Sequence, residues 1–399
     1  MNESPHSVAG RWPGGWDEDG LREWAEGLRR SLGNRPVTLG LVFVAPEYFE
    51  RAEALLELLR VHAQIPLLAG CSSPGLVAGG REHEDGRGLA LALYSLPGAT
   101  VHAHVVEPAD PAQPGAFATP AWRPGEISGC LALIEPFHTD VEAWLEGWQA
   151  AFPGLPVYGG LAAGPSVEAR AQVYLNGRVL DQGGVVLGFS GVRLLGLVAQ
   201  GCTPVGDEWT ITRVEGNIIH RIGNRPAVAV LEETFEQLRD TLKRRSRGNF
   251  FAGLVVDEYQ DEHHRGDFLV RNLVGADPET GALAIAALPR AGQTLQFQLR
   301  DAAAADEEVR ALLGRLRDRI DRAQIYGSCL CLCNGRGSAL FGEPDHDAAL
   351  VQQILGPHAV AGFFGNGEFG PVGSRSYLHG YTAALVVFAG PPRSENDEL

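Results

Sequence analysis

The segment that decides the fold is Ala361-Gly-Phe-Phe-Gly-Asn-Gly-Glu-Phe-Gly-Pro-Val-Gly-Ser-Arg-Ser-Tyr-Leu-His-Gly-Tyr-Thr-Ala383. An apolar run enters a turn dense in glycine, and a second apolar run, Tyr381 to Phe388, leaves it. Glycine lets a second backbone or a ligand come close, so such a turn is suited to binding. The spacing Gly365-x-Gly367-x-x-Gly370 matches the dinucleotide fingerprint, which needs a helix to open at its third glycine. Pro371 and Gly373 follow instead, and they favour strand–turn–strand.

A strand, a helix, a second strand, a glycine-rich turn and a third strand recur three times along the chain. From a mid-strand leucine to the first turn glycine the separations are 29, 27 and 30 residues, for the pairs Leu41–Gly70, Leu133–Gly160 and Leu332–Gly362. Each unit has an apolar strand face that it cannot bury alone, so the units must pack together with their turns at equivalent ends. The pattern predicts a two-lobed α/β fold of repeated β–α–β–turn–β units, with mixed sheets and helices packed on them.

Composition shifts divide the chain into four parts. We assign residues 1–33 to an N-terminal tail and helix, 34–222 and 223–391 to two domains, and 392–399 to a polar tail. Residues 1 to about 15 are polar and rich in Pro and Gly, which predicts a loose segment. The domain boundary is expected where Asn224-Arg-Pro226 opens a helix, because proline is favoured at the first helical position.

The overall charge bears on the possible partners. Of 399 residues, 45% are apolar and 21% are charged, and the formal net charge is −16. This charge disfavours nonspecific binding to nucleic acid or to anionic membranes, which attract clustered Lys and Arg. The first residues lack the basic and apolar regions of a secretory signal. The most apolar segment, Val185 to Val205, is interrupted by glycine and arginine. We therefore expect a cytoplasmic protein without membrane insertion.

The six cysteines are expected to be thiols in such a compartment. Cys329, Cys331 and Cys333 alternate with period two along an apolar run, so they share one face of a strand. A zinc site would need Cys-x2-Cys spacing or an evident fourth ligand, so we predict that they pack in the core. The Gly70–Gly75 turn lacks the lysine of a phosphate-binding loop, and no cofactor is expected.

Two groups of residues raise an enzymatic alternative. A turn could expose the Cys71 thiol and point backbone N–H groups the same way. Glu368 and His379 lie on the two sides of one turn and could form an acid–base pair. Their structural interpretation is a carboxylate that caps turn amides and a histidine in a fixed hydrogen bond. Three functions stay open: a noncatalytic ligand-binding module, a small-molecule enzyme that uses Cys71 or the Glu368/His379 pair, and a protein-interaction scaffold.

A series of short motifs resembles the FIST family, in which an N-terminal and a C-terminal FIST region are paired. The motifs include Leu67-Leu-Ala-Gly-Cys-Ser-Ser-Pro-Gly75, Val157-Tyr-Gly-Gly160, Cys333-Asn-Gly-Arg-Gly-Ser338 and Gly362-Phe-Phe-Gly-Asn-Gly-Glu-Phe-Gly370 with Leu378-His-Gly380. The resemblance covers roughly residues 34–391. It implies a sensory module for small ligands, amino acids being the usual suggestion, with no enzymatic activity assigned. It also implies signalling through a partner protein in trans, since no output domain is visible outside the matched region.

The predicted ligand site combines the glycine turns with the polar side chains beside them. It comprises Gly70, Cys71, Ser72, Ser73, Gly159, Gly160, Asn334, Arg336, Asn366, Gly367, Glu368, Arg375 and His379. The polar group on the turn from Asn366 to His379 would be completed across the interface between the lobes by Cys71 and the two serines after it. Arg336 or Arg375 would hold a carboxylate, so we expect an amino-acid-like ligand or another small polar carboxylate.

Overall fold

The computed structural model describes residues 4–108, 117–123, 125–165, 170–239 and 249–392. The chain divides into two compact units, one made of residues 1–198 and 310–399 and the other of residues 199–309. Helices and strands occur in both, which confirms the predicted α/β class with its mixed sheets. Within the described ranges, no helix combines the length and the apolar character needed to cross a membrane.

The elements are numbered in chain order. The helices are α1 (Glu18–Ser31), α2 (Ala52–His62), α3 (Val141–Ala151), α4 (Ala227–Gln237), α5 (Ala302–Ile320), α6 (Ser338–Phe341) and α7 (His346–Leu355). The strands are β1 (Ser7–Trp12), β2 (Leu39–Val44), β3 (Leu68–Ser72), β4 (Leu76–Ala78), β5 (Arg81–His83), β6 (Leu89–Tyr94), β7 (Thr100–Val106), β8 (Gly129–Ile134), β9 (Val157–Leu161), β10 (Val173–Leu175), β11 (Arg178–Leu180), β12 (Gly184–Ser190), β13 (Arg193–Ala199), β14 (Cys202–Glu215), β15 (Ile218–Ile222), β16 (Arg225–Pro226), β17 (Phe250–Val255), β18 (Phe268–Asp277), β19 (Ala282–Ile285), β20 (Thr294–Arg300), β21 (Ile325–Cys333), β22 (Val360–Gly365), β23 (Glu368–Val372), β24 (Arg375–His379) and β25 (Ala383–Ala389).

The described part of the larger unit forms three six-stranded sheets of one design. Their strand orders are β1-β6-β2-β3-β10-β11, β7-β12-β8-β9-β23-β24 and β13-β25-β21-β22-β4-β5. A parallel pair stands at the centre of each sheet, and the chain between its two strands contains a helix, α2, α3 or α7. We call the three chain segments repeat 1 (β2–β6), repeat 2 (β8–β12) and repeat 3 (β21–β25). The predicted threefold repeat is confirmed.

Each repeat sends a hairpin into the sheet of another repeat. Hairpin β4–β5 of repeat 1 pairs with β22, hairpin β10–β11 of repeat 2 pairs with β3, and hairpin β23–β24 of repeat 3 pairs with β9. The three exchanges close a cycle. The glycine-rich stretch between the second and third strands of a repeat is therefore more than the predicted turn, because it carries two strands to a neighbouring sheet.

Three glycines hold one register position in the parallel pairs. Their partners form the pairs Gly70–Val42, Gly159–Ala132 and Gly362–Leu330. A Cβ atom on these glycines would lie 1.7, 2.0 and 1.7 Å from the partner's carbonyl oxygen, so a side chain does not fit. Two corrections follow. These glycines lie inside strands rather than in turns, and the equivalent in repeat 2 is Gly159 rather than Gly160, a slip of one residue that reverses the face.

The N-terminal segment is more ordered than the sequence suggested. Ser7–Trp12 forms strand β1, which pairs antiparallel with β6 over its full length. The Trp12 ring lies 6.2 Å from the Trp24 ring of α1, centroid to centroid, and these contacts hold a segment that we expected to be loose. At the other end, residues 393–399 of the predicted polar tail lie outside the described residues.

The main apolar cluster of the larger unit contains three of the cysteines, and Cys130 is buried in a second cluster. Cys71, Cys329 and Cys331 are buried in one apolar cluster, where the Phe43 and Phe363 rings stack with centroids 4.9 Å apart. Core packing is thus confirmed for Cys329 and Cys331. Cys333, at the end of β21, is half-buried.

The smaller unit is built on one sheet among its described residues, in the order β14-β20-β17-β18-β19-β15-β16. Helix α4 begins directly after Pro226, as the Asn224-Arg-Pro226 motif predicted. Its buried residues Ala227 and Val230 pack in an apolar cluster with Phe297. This unit holds none of the predicted site residues.

Candidate functional site

The carboxyl ends of strands β3, β9 and β22 are linked to one another through the exchanged hairpins. Three equivalent backbone hydrogen bonds make the links, from the N–H of Ser72 to the Gln172 carbonyl at 2.8 Å, Leu161 to Gly367 at 2.8 Å, and Phe364 to Gly75 at 2.9 Å. Each donor is the last or next-to-last residue of the second strand of its repeat, and each acceptor directly precedes a hairpin. The strand ends that the sequence predicted as ligand-binding turns therefore do come together, and they do so within the larger unit rather than between the lobes.

The two serines after Cys71 tie these strand ends together. The Ser72 hydroxyl donates to the Ala163 carbonyl at 2.8 Å and accepts from the Gln172 N–H at 2.9 Å. The Ser73 hydroxyl lies 2.7 Å from the carbonyl oxygen of Phe364 and accepts from the N–H of the same residue at 3.2 Å. Both serines are fully buried. Their hydroxyls hold neighbouring repeats together, which corrects the prediction that they face a ligand.

Cys71 is placed where a nucleophile cannot work. Its side chain is fully buried, and burial, with Cys329 beside it, raises the pKa of the thiol well above its usual value. The thiolate, which is the nucleophilic form, is therefore suppressed. The enzymatic alternative needed a turn that exposes the Cys71 thiol, but the residue lies in strand β3 and packs in the core.

Glu368 and His379 face each other at the open end of hairpin β23–β24. Both are buried. The Glu368 Oε2 atom accepts hydrogen bonds from the Thr382 hydroxyl at 2.7 Å and from the Thr382 N–H at 3.3 Å. The His379 Nε2 atom lies 3.0 Å from the Gly370 carbonyl oxygen. The sequence had paired the carboxylate and the imidazole correctly across the turn.

The other two repeats show what the fold itself requires at these positions. The first residue of each hairpin pairs with the second strand of another repeat, and the three equivalents are Leu76, Val173 and Glu368. Leu76 and Val173 are fully buried apolar residues. The fold thus accepts an apolar side chain where repeat 3 has a carboxylate, and a buried carboxylate without a structural need points to function.

Gly160, which pairs with Glu368, also differs from its equivalents in the other two repeats. Its equivalents in the other two ladders are Cys71 and Phe363, both of which fill the core with a side chain. A Cβ at Gly160 would lie 2.9 Å from the Gly367 carbonyl oxygen and 3.2 Å from the Phe363 ring. Glycine therefore lets the Gly367 carbonyl and the Phe363 ring approach this strand closely.

An exposed pair of amides lies next to this carboxylate in the chain. Asn334 follows strand β21 and Asn366 follows β22, and the Asn334 Nδ2 atom donates to Asn366 Oδ1 at 3.0 Å. Asn366 Nδ2 also reaches the Ala162 carbonyl of repeat 2 at 3.4 Å. We call Asn334, Asn366, Glu368, His379 and Thr382 the strand-end site. It contains exposed amide donors and acceptors and a buried carboxylate.

Two residues of this region escaped the sequence analysis. Thr382 and Tyr381 precede β25, where the other repeats have Gly88 and Gly183 before β6 and β12. Tyr381 has φ 63°, a left-handed conformation that is strained for a bulky residue. An alignment of the three repeats could have revealed the exchange of glycine for Thr382.

Arg336 does not face the strand-end site. Its guanidinium is fully buried and donates to both carboxylate oxygens of Asp347, at 2.7 and 2.9 Å. Burial alone would raise the pKa of the Asp347 carboxyl, but Arg336, with His346 beside it, holds that pKa at about 2. Arg336 is a structural ion-pair partner, which corrects its prediction as a carboxylate ligand.

Arg375 is also distant from the strand-end site. It pairs with Val372 beside the turn of the hairpin, whereas Glu368 pairs with His379 at the open end. From Glu368 to Val372 the strand rises by four residue steps, so the two ends of the hairpin are about 13 Å apart at the usual rise per residue. The exposed guanidinium lies over the Tyr377 ring at 5.9 Å. The predicted group of four polar residues on one turn is thus divided between the two ends of a hairpin.

Comparison with known proteins links most of the chain to one family. The model of the FIST N domain matches residues 38–225, and that of the FIST C domain matches residues 227–371. An uncharacterized protein of Mycobacterium tuberculosis (strain H37Rv) is 34% identical over 370 residues, which are 92% of this chain and 95% of the relative. An uncharacterized protein of Mycobacterium bovis is 32% identical over 369 residues, 92% of this chain and 94% of the relative.

Proposed function

The chain belongs to the FIST family of sensory domains in signal transduction, and we propose that it binds a small amino-acid-like ligand, without catalysis, at the strand-end site. Ligand binding there would be passed to a signalling protein in trans. We further propose a cytoplasmic location, and a partner that is neither nucleic acid nor membrane, in keeping with the net charge of −16.

The observation that carries this proposal is the buried carboxylate of Glu368 at a position that is apolar in both other repeats. Burial of a charged group is expensive unless it is paired, and proteins retain such groups mainly where function needs them. Thr382, which binds this carboxylate, stands at a strand start where the other repeats have glycine. The two residues that differ from their equivalents in the other repeats, Glu368 and Thr382, are therefore hydrogen-bonded to each other.

The ligand class follows from the groups on offer. The Asn334 and Asn366 amides supply both donors and acceptors, and the Glu368 carboxylate favours an ammonium group. An amino acid presents an ammonium group and a carboxylate on one carbon. Its carboxylate would be held by neutral amides, because Arg336 is bound to Asp347 and Arg375 lies at the far end of the hairpin.

A noncatalytic role agrees with the state of the candidate catalytic groups. The Cys71 thiol is buried and its pKa is raised. The Glu368 carboxylate is engaged by Thr382, and the His379 imidazole lies against the Gly370 carbonyl. The Cys71 thiol, which the enzymatic alternative needs as a nucleophile, has no exposed surface to offer a substrate.

Thermal-shift screening of the twenty amino acids and matched amines and carboxylates tests the proposal. A true ligand at about one hundred times its Kd should raise the free energy of unfolding by roughly 2.7 kcal/mol. Glu368→Gln and Asn366→Ala should each weaken binding of that compound about tenfold or more, whereas the control Arg375→Ala should leave it unchanged. A hit that binds both site variants as tightly as the parent would place the site elsewhere.

The signalling role has its own test. The tagged protein would be used to capture partners from a lysate of its source, with and without the compound found in the screen. A partner whose recovery depends on the compound and is lost in Asn366→Ala supports sensing. Recovery that is insensitive to both would favour the scaffold alternative.

A further inference from the structure

A second buried polar group lies between repeats 1 and 3, outside the strand-end site. Hairpin β4–β5 of repeat 1 meets the N-terminus of helix α7 there. The Glu82 Oε1 atom accepts from the N–H of Ala348 at 2.8 Å, and the Glu82 N–H donates to Asp345 Oδ1 at 2.7 Å. Asp347, on the first turn of α7, holds Arg336. Two repeats are thus joined through carboxylates.

The internal repeat shows that the fold does not need polar residues here. Counted back from the equivalent glycines at 362, 70 and 159, Asp347 corresponds to the buried apolar residues Leu55 and Trp144. In the hairpins, Glu82 corresponds to Val179 and Leu378 by register. Repeat 1 at Glu82 and repeat 3 at Asp347 therefore each carry a carboxylate where the other repeats have apolar side chains. Such a departure calls for a function.

Glu82 itself is incompletely satisfied. The residue is only 6% exposed, and its Oε2 atom has no hydrogen-bond partner among the described residues. Burial first, and then the nearby Asp347 carboxylate, raise the pKa of Glu82 to about 7. Three carboxylates lie near Glu82: Asp345, Asp347 and Glu84. Arg336 and His346 are bound to Asp347. Arg81 and His83 flank Glu82 on strand β5.

We propose that Glu82 and Asp347 form a proton-operated latch between hairpin β4–β5 and helix α7. A proton on Glu82 makes it a neutral acid next to the Asp347 carboxylate, and the latch is closed. Loss of the proton places two buried carboxylates side by side and weakens the contact. The stability that the latch contributes is complete below the ordinary glutamate pKa of about 4.5. It is lost as the pH rises through the folded-state value of about 7.

The latch lies on the hairpin that follows the Ser73 contact with strand β22. Opening of the hairpin would expose the edge of β22, since Ala78, Val77 and Leu76 pair with that strand. A rise in pH from 6 to 8 should therefore act locally on β4, β5 and their partner. Distant elements such as α1 serve as internal controls.

Hydrogen exchange of the full chain between pH 6 and 8, corrected for the intrinsic pH dependence, tests the latch. We expect opening of Leu76–His83 to increase about five- to tenfold from pH 6 to pH 8 in the parent and to stay constant in Glu82→Gln. The control Glu53→Gln, at an exposed carboxylate of helix α2, should behave as the parent. Equal pH responses in the parent and in Glu82→Gln would overturn the proposal.

A direct titration makes the test independent of folding. With glutamate labelled by 13C at the side-chain carboxyl, the signal that disappears in Glu82→Gln belongs to Glu82. A midpoint near 7 supports the latch, and a midpoint below 5.5 contradicts it.

Discussion

Leu76 and Glu368 occupy the same structural position: each is the first residue of an exchanged hairpin, and each pairs with the second central strand of a neighbouring repeat. Both are fully buried. One is a leucine in the core, and the other is a carboxylate bound by Thr382. The position therefore accepts an apolar residue, and repeat 3 is the repeat in which a carboxylate replaces it, at the proposed ligand site.

Reciprocal substitutions should separate structure from function at this position. We expect Leu76→Glu to lower the free energy of unfolding by about 3 kcal/mol or more, because it buries a charge without partners. Glu368→Leu should change it by less than about 2 kcal/mol, since the position accepts a leucine in repeat 1 and the Thr382 donors lose a single acceptor atom. Urea unfolding would measure both. A larger loss for Glu368→Leu than for Leu76→Glu would mean that the carboxylate is structural.

The three equivalent glycines should tolerate no side chain. Gly70→Ala, Gly159→Ala and Gly362→Ala would each force a Cβ within 2.0 Å of a carbonyl oxygen, and we expect losses of about 3 kcal/mol or more or failure to fold. Gly147 on helix α3 is the control, because a Cβ there meets nothing within 4 Å. Gly147→Ala should stabilise by about 0.5–1 kcal/mol. Thermal melts that rank Gly159→Ala with Gly147→Ala would contradict the assigned register.

The buried Arg336–Asp347 pair should be costly to break and cheap to replace. Arg336→Ala leaves the Asp347 carboxylate buried and should lower the free energy of unfolding by roughly 3–5 kcal/mol. The double variant Arg336→Met/Asp347→Leu, which copies Leu55 of repeat 1, should recover most of that loss. Chemical denaturation of the three proteins tests this. No recovery in the double variant would show that the pair itself is required.

The same pair predicts an acid limb of stability. Asp347 has its pKa lowered from 3.8 to about 2, so its contribution is complete above about 3.8 and is lost as the pH falls through 2. Melting temperatures between pH 2 and 5 should therefore fall more steeply in the parent than in Arg336→Met/Asp347→Leu. Parallel curves would argue against the lowered pKa.

Thiol labelling should follow burial. Cys333 is half-buried at a strand end, whereas Cys71 is fully buried and has a raised pKa. We expect iodoacetamide at pH 8 to label Cys333 first and to leave Cys71 intact until the protein unfolds. Peptide mass spectrometry locates the label. Early modification of Cys71 in the native protein would reopen the enzymatic alternative.

Sequence periodicity was sufficient for the repeat but not for its connections. Apolar runs and the spacing of Gly70 and Gly362 predicted three similar units, because close strand pairing requires a glycine at a fixed position in each unit. The exchange of hairpins has no such local sequence pattern, since β4 pairs with β22, which is far from it in the sequence. The one-residue error at Gly160 has the same origin: two adjacent glycines satisfy the pattern equally, and only the ladder distinguishes them.

The candidate site was predicted in part. Glu368 and His379 were placed across from each other, because a hairpin brings residues on its two strands together. Arg336 was misassigned, since its partner Asp347 belongs to a helix whose packing depends on the tertiary fold. Ser72 and Ser73 were expected to face a ligand, but their hydroxyls bind backbone of other repeats. The sequence predicted which residues of one hairpin lie near each other, but it did not predict the contacts between repeats.

The cycle of exchanged hairpins also determines when the sheets can form during synthesis on the ribosome. Hairpin β4–β5 is synthesised early, yet its partner strand β22 is among the last elements to appear, and the sheet around β8 and β9 waits for β23. Their edges stay unpaired through most of translation, a condition that invites aggregation. The nascent polypeptide should accordingly depend on chaperones until its final strands are released, and termination short of residue 389 should yield no soluble product.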